Sequence, residues 1–194
     1  YITSLTCEAD AIDLNGHNLS VAGITLGSGV TFVNNAAEKS RIYAGLNGGD
    51  KTWLLGSNLP ASIMPVFVGA AIEIPNTYIP EGGIGFKDTA GVQPVYQKSC
   101  NNGLAFLGNA NLKEPWKDWN FGQGKTCTVT VEGESNVFAF DNDNAGTIPS
   151  AFTTTPFVGD GHLTIVSAAL SSVTPTVGDK TTDDSLFTGT LALQ

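Results

Sequence analysis

Two histidines, three cysteines and a scatter of carboxylates are what this chain offers to chemistry. His17 stands in Asn15-Gly16-His17-Asn18, and His162 follows Gly159-Asp160-Gly161. Either imidazole could serve as a general base, given a carboxylate to orient it and a nucleophile beside it. Asn15-Gly16 supplies the backbone freedom of a tight turn, so His17 is expected to be a turn residue and not a catalyst. Asp160 is close to His162 in sequence, but that closeness does not make their side chains meet. No Gly-x-Ser-x-Gly elbow is present to hold a nucleophile. Paired carboxylates for glycoside hydrolysis are defined by separation in space, which the sequence does not show. The expectation is a protein that is not an enzyme.

The best metal candidate is Phe140–Gly146, FDNDNAG. Asp141 and Asp143 bring hard oxygen ligands, and Asn142 and Asn144 could add carbonyls. An EF-hand is excluded, because Ala145 and Phe152 occupy positions where that loop needs oxygen donors. Calcium is thus the one cofactor with a candidate site, and the ordinary alternative is an Asx-rich turn.

Trp116, Trp119 and Phe121 cluster with Lys113 and Lys117 in KEPWKDWNFGQG. Such rings could stack on a sugar or pack against a partner subunit. They could equally fill a minor core beside a cross-link. The cysteines are Cys7, Cys100 and Cys127, with no CxxC spacing, and two histidines do not complete a common zinc site. In an oxidising compartment the preferred pair is Cys100 with Cys127, which closes a loop insertion over about 100–127. The chain-entropy model gives such a bridge about 3–4 kcal/mol. Cys7 would then be buried and free or bonded between chains, and its pairing with either other cysteine stays open.

The elements that must carry these residues are strands. Apolar residues alternate in AIDL, LSV, GVTFV and SRIYAGL, with Gly, Asn or Pro between the runs. KTWLLG, ASIMPVFVGAAIEI, KTCTVTVEG, SNVFAFD, GHLTIVSAAL and LFTGTLALQ continue the series. No run of helical length holds a helical period free of Gly and Pro. EPWKDWNF could make one helical turn, with Pro115 at its first position. The fold class is all-β: a single domain over 1–194, either a β-sandwich or jelly roll or a β-solenoid. Antiparallel hairpins and solenoid corners share one sequence pattern, so periodicity does not choose between them.

Nine basic against eighteen acidic residues give a net charge of −9, and Arg41 is the sole arginine. Clustered cations for phosphate are lacking, so nucleic acid and anionic membrane surfaces are not expected partners. The most apolar stretch, Ile63 to Ile74, is short and broken by Pro65, Gly69 and Glu73, so no membrane span is expected.

IDLNGHNLSVAGI and the following GVTFVNNAAEKSRIYAG resemble coils of secreted right-handed parallel β-helix proteins, including autotransporter-associated β-strand repeats. GDGHLTIV and SLFTGTLALQ resemble later strands of the same class. The resemblance covers residues 11–55 and 159–194. Residues 56–158 depart from it through their prolines, two cysteines and tryptophan loop. It implies stacked coils and an extracellular or cell-surface location. SLFTGTLALQ also resembles the terminal strand that pilins donate to the next subunit, which implies a strand 185–194 exchanged between chains. Its core face would hold Phe187, Gly189, Leu191 and Leu193.

The expected function is therefore a structural subunit of an extracellular fibre, pilus or surface adhesin. It would self-associate into a homopolymer by β-strand addition or β-edge stacking. The expected subunit contacts are Tyr1, Ile2, Leu5, Leu186, Phe187, Leu191 and Leu193. The alternative is a carbohydrate-binding module on Trp116, Trp119 and Phe121, or a β-helix polysaccharide lyase fragment, with a glycan or host surface as partner.

Overall fold

The computed structural model describes residues 2–8, 10–69, 72, 74–75, 77–78, 80–87, 99–100, 104–107, 111–116, 120–121, 129–133, 136–140, 157–166 and 190–193. Short strands follow one another, several begun directly after a Gly, Asn or Ser, as at Ser4, Asn18, Gly23, Ser62, Gly83 and Gly161. They are β1 (Leu5–Cys7), β2 (Ala11–Asp13), β3 (Leu19–Val21), β4 (Ile24–Leu26), β5 (Thr31–Val33) and β6 (Ser40–Ala44). Then come β7 (Ile63–Val68), β8 (Ile84–Lys87), β9 (Ser99–Cys100), β10 (Leu104–Leu107), β11 (Asn111–Trp116) and β12 (Asn120–Phe121). β13 (Val129–Glu132), β14 (Asn136–Phe140), β15 (Phe157–Val158), β16 (His162–Val166) and β17 (Thr190–Leu193) complete the order.

All pairings between these strands are parallel. A parallel neighbour requires a long return path between paired strands. Here the path runs through other strands and corners, so the chain winds as a β-solenoid and the sandwich alternative falls. The longest sheet has the order β3-β6-β7-β8-β10-β13-β15, and a second has β11-β14-β16-β17. β1-β4, β2-β5 and β9-β12 form two-stranded sheets. Coil length varies along the chain: 19 residues separate the partners Leu5 and Ile24, 23 separate Ser40 and Ile63, 19 separate Val66 and Gly85, and 28 separate His162 and Thr190.

The core is a stack of like positions. In the long sheet Val21 lies against Ala44, Ala44 against Phe67, Phe67 against Phe86, Phe86 against Phe106 and Phe106 against Val131. All six are at most 1% exposed. Phe67 and Phe86 stack, with ring centroids 6.2 Å apart. Register is fixed because a one-residue slip would turn this whole row outward. Asparagines stitch the corners. Asn34 accepts a hydrogen bond from the Gly16 amide at 2.7 Å and donates to the carbonyls of Glu38 and Ser62. Buried Asn136 donates to the carbonyls of Glu132, Gly133 and His162. Each side chain thereby ties one coil to the next.

Asn15-Gly16 turns through positive φ as expected, at 46° and 80°, and because β2 and β3 belong to different sheets the turn is a solenoid corner. Two local expectations are corrected. KTWLLG is no strand: Thr52–Gly56 is a 3₁₀ turn. Asp50 Oδ1 accepts hydrogen bonds from the Thr52 amide and hydroxyl, and the Trp53 indole donates to the Asp50 carbonyl. These local bonds outcompete a ladder. EPWKDWNF does not start a helix, because Glu114–Trp116 continue β11 beside β14. Its register shifts between Leu112 and Trp116, an irregularity of the kind that admits a proline into a sheet.

Candidate functional site

The first described coil has one paired side and one unpaired side among the described residues. Toward the second coil, Ile2 donates to the Ser20 carbonyl at 2.9 Å and accepts from the Ala22 amide. The Leu5 amide donates to Gly23, the Cys7 carbonyl accepts from Gly27, and the Asp10 carbonyl accepts from Thr31. The Leu14 amide donates to Val33. Backbone groups alternate sides along a strand, so those of Thr6, Ala11 and Asp13 face away from the second coil.

Side-chain burial follows the same asymmetry. Ile2 is 39% exposed, while Val21, its partner one coil on, is fully buried. Leu5 and Cys7 are half-buried, and Cys7 is a free thiol. The edge is acidic, with Glu8, Asp10 and Asp13 exposed along it. Asp13 is nonetheless held in place. Its carboxylate accepts the Asn35 side-chain amide at 2.8 Å and the Asn15 backbone amide at 2.9 Å, and these bonds lower its pKa.

A second feature lies on the outer face of the long sheet. Val66, Val68, Ala105 and Leu107 are buried there, with Tyr43, Leu46 and Met64 packed against them. Gly85 makes room at the centre: a Cβ on it would stand 3.0 Å from Val66 Cγ2 and 3.3 Å from Leu107 Cδ1. Polar groups overlie this apolar cluster. Arg41 holds Glu132 through two hydrogen bonds, Nη2 to Oε1 at 2.8 Å and Nη1 to Oε2 at 3.1 Å. Arg41 Nη1 also lies 3.4 Å from the Tyr43 hydroxyl. The paired carboxylate raises the guanidinium pKa further. Lys87 Nζ sits 5.6 Å above the Tyr43 ring.

The residues singled out from sequence are dispersed. Ile2 and Leu5 lie on the first coil's edge. Leu191 and Leu193 lie in β17, in register with Leu163 and Ile165 of the same chain. Trp116 is in β11, and Phe121 is in β12 beside Cys100 of β9. Tyr1, Trp119, Cys127, Asp141, Asp143, Leu186 and Phe187 lie outside the described residues. The expected Cys100–Cys127 pairing, the calcium turn and the Trp119 part of the aromatic loop fall there with them.

His17 is exposed on its corner, with its amide donating to the Leu14 carbonyl at 2.8 Å. His162 Nε2 stands 3.4 Å from Thr164 Oγ1. Among the described residues no three His, Cys, Asp or Glu side chains gather as a metal group. None of their helices is long and apolar enough to cross a membrane.

Sequence reasoning missed Arg41, Glu132 and the stitching asparagines. The lone arginine was the available signal for the first of these, and nothing local marks its partner. Comparison of the chain with protein-family models, curated proteins and solved structures finds no significant match. The class that the coordinates define is a parallel β-solenoid.

Proposed function

We propose that this chain is a structural module of an extracellular fibre, pilus or surface adhesin, and that copies of it associate through their coil edges. The observation that carries the reading is the all-parallel stack of short coils, whose like positions from Val21 to Val131 repeat strand upon strand in one direction. In such an assembly a strand from another copy would meet the backbone groups of Thr6, Ala11 and Asp13 and cover Ile2, Leu5 and Cys7. A surface rich in Thr, Ser, Asn and Gly, with few charges, is consistent with a mechanical role. The extracellular location rests on the resemblance to secreted β-helix proteins.

Thr6→Pro is the sharpest test. Its amide faces outward, so proline removes a rim donor without breaking a bond to the second coil. The unaltered chain should form filaments in negative-stain microscopy and sediment as a concentration-dependent polymer. T6P should keep the circular dichroism spectrum and lose the polymers. Strictly monomeric behaviour of the unaltered chain, or filaments that T6P leaves intact, overturns the reading.

A further inference from the structure

In a solenoid each coil ordinarily touches only its neighbours, so stability propagates one interface at a time. The Arg41–Glu132 pair departs from that rule. Arg41 belongs to β6 and Glu132 to β13, and β7, β8 and β10 lie between them in the sheet. Four strand spacings amount to about 19 Å across a flat sheet. Glu132 also stands level with Leu107, Lys87 and Val68, four residues beyond the level of Arg41 and Met64, so even two extended side chains meet only if the sheet bends and twists toward its outer face. The residues beneath them permit the bend. Gly85 and Ala105 are adjacent in register on the two central strands and present almost no side chain, while Met64, Val66 and Leu107 close over Gly85. Arg41 is the chain's only arginine, and its planar fork suits two-point capture of a carboxylate where a lysine would offer a single point charge.

We infer that Arg41 and Glu132 form a brace across the outer face, coupling the opening of β6 to that of β13 over three intervening strands. The brace holds the face concave and keeps the apolar cluster of Val66, Val68, Ala105 and Leu107 from becoming an exposed patch. It gives a ladder that would otherwise fray coil by coil a contact that spans several coils at once. Lys87 over Tyr43, and the Tyr43 hydroxyl beside Arg41, fix the guanidinium from its own side of the sheet.

Amide hydrogen exchange on the full 194-residue chain tests the coupling, because it reads each strand separately. Arg41→Met keeps the apolar stem and removes the charge. It should speed exchange of the Val129–Glu132 amides by about two- to fivefold, the scale of a partly exposed ion pair. Glu132→Gln should do the same to the Ser40–Ala44 amides, 91 positions away in sequence. The exchanged pair R41E/E132R should restore protection in both strands. The brace is refuted if each variant alters only its own strand and the next coil, or alters neither. Should R41M fail to fold, exchange at Ser40–Ala44 in E132Q decides alone, since Glu132 is 44% exposed and its substitution leaves the core intact.

Discussion

Tyr78 shows what a single buried side chain does to the protein's response to pH. Its ring meets Phe67 edge-on at 6.3 Å, and burial raises the phenol pKa above its ordinary value of 10.0. The folded value exceeds the unfolded one, so the stabilising contribution is complete below the unfolded value and fades as pH climbs toward the folded one. Absorbance titration should keep Tyr78 un-ionised until the chain unfolds in alkali. Tyr78→Phe should abolish that late step, and an unchanged curve would contradict this assignment.

Gly45 makes a comparable point about the backbone. Its φ is 95°, and a Cβ there would lie 2.5 Å from the Val68 carbonyl oxygen. Gly45→Ala should cost more than about 2 kcal/mol in urea unfolding, because strain and a backbone clash act together. At this scale the sequence was partly legible. Asn-Gly at residues 15–16 announced positive φ, and both residues have it. Gly45 gave no such notice, since its constraint comes from a strand a full coil away.

At the scale of elements, the stack Val21–Ala44–Phe67–Phe86–Phe106–Val131 governs stability. Phe86 sits mid-row and is fully buried, so Phe86→Ala should cost about 3–5 kcal/mol. Ile2→Ala, at the exposed end of the row, should stay within about 0.5 kcal/mol for the isolated chain. Equal losses in thermal or urea unfolding would show that the row is not the continuous core described. Strand character was readable from alternation and corner residues, and most expected strands are present in shortened form. Parallel pairing was not readable, because three residues followed by a corner look the same in a hairpin and in a coil. Thr52–Gly56 misled because Asp50 redirects the backbone there, an effect that hydropathy does not carry. Arg41 and Glu132 could not have been joined from sequence, since only the count of intervening coils brings them together.

For the molecule as a whole, paired strands run the same way from the first described coil to the last, so the stack has a direction. Edge association tested by T6P would therefore give a chain of modules with direction. The pairing geometry also fixes how such a thread bears force. Every ladder among the described residues is parallel, and its hydrogen bonds point from coil to coil along the stack. A pull between the two ends loads these joints in series, so the first to part is the weakest and the rest relax. Arg41 and Glu132 bridge four such joints side by side, and rupture under tension should then begin outside that span.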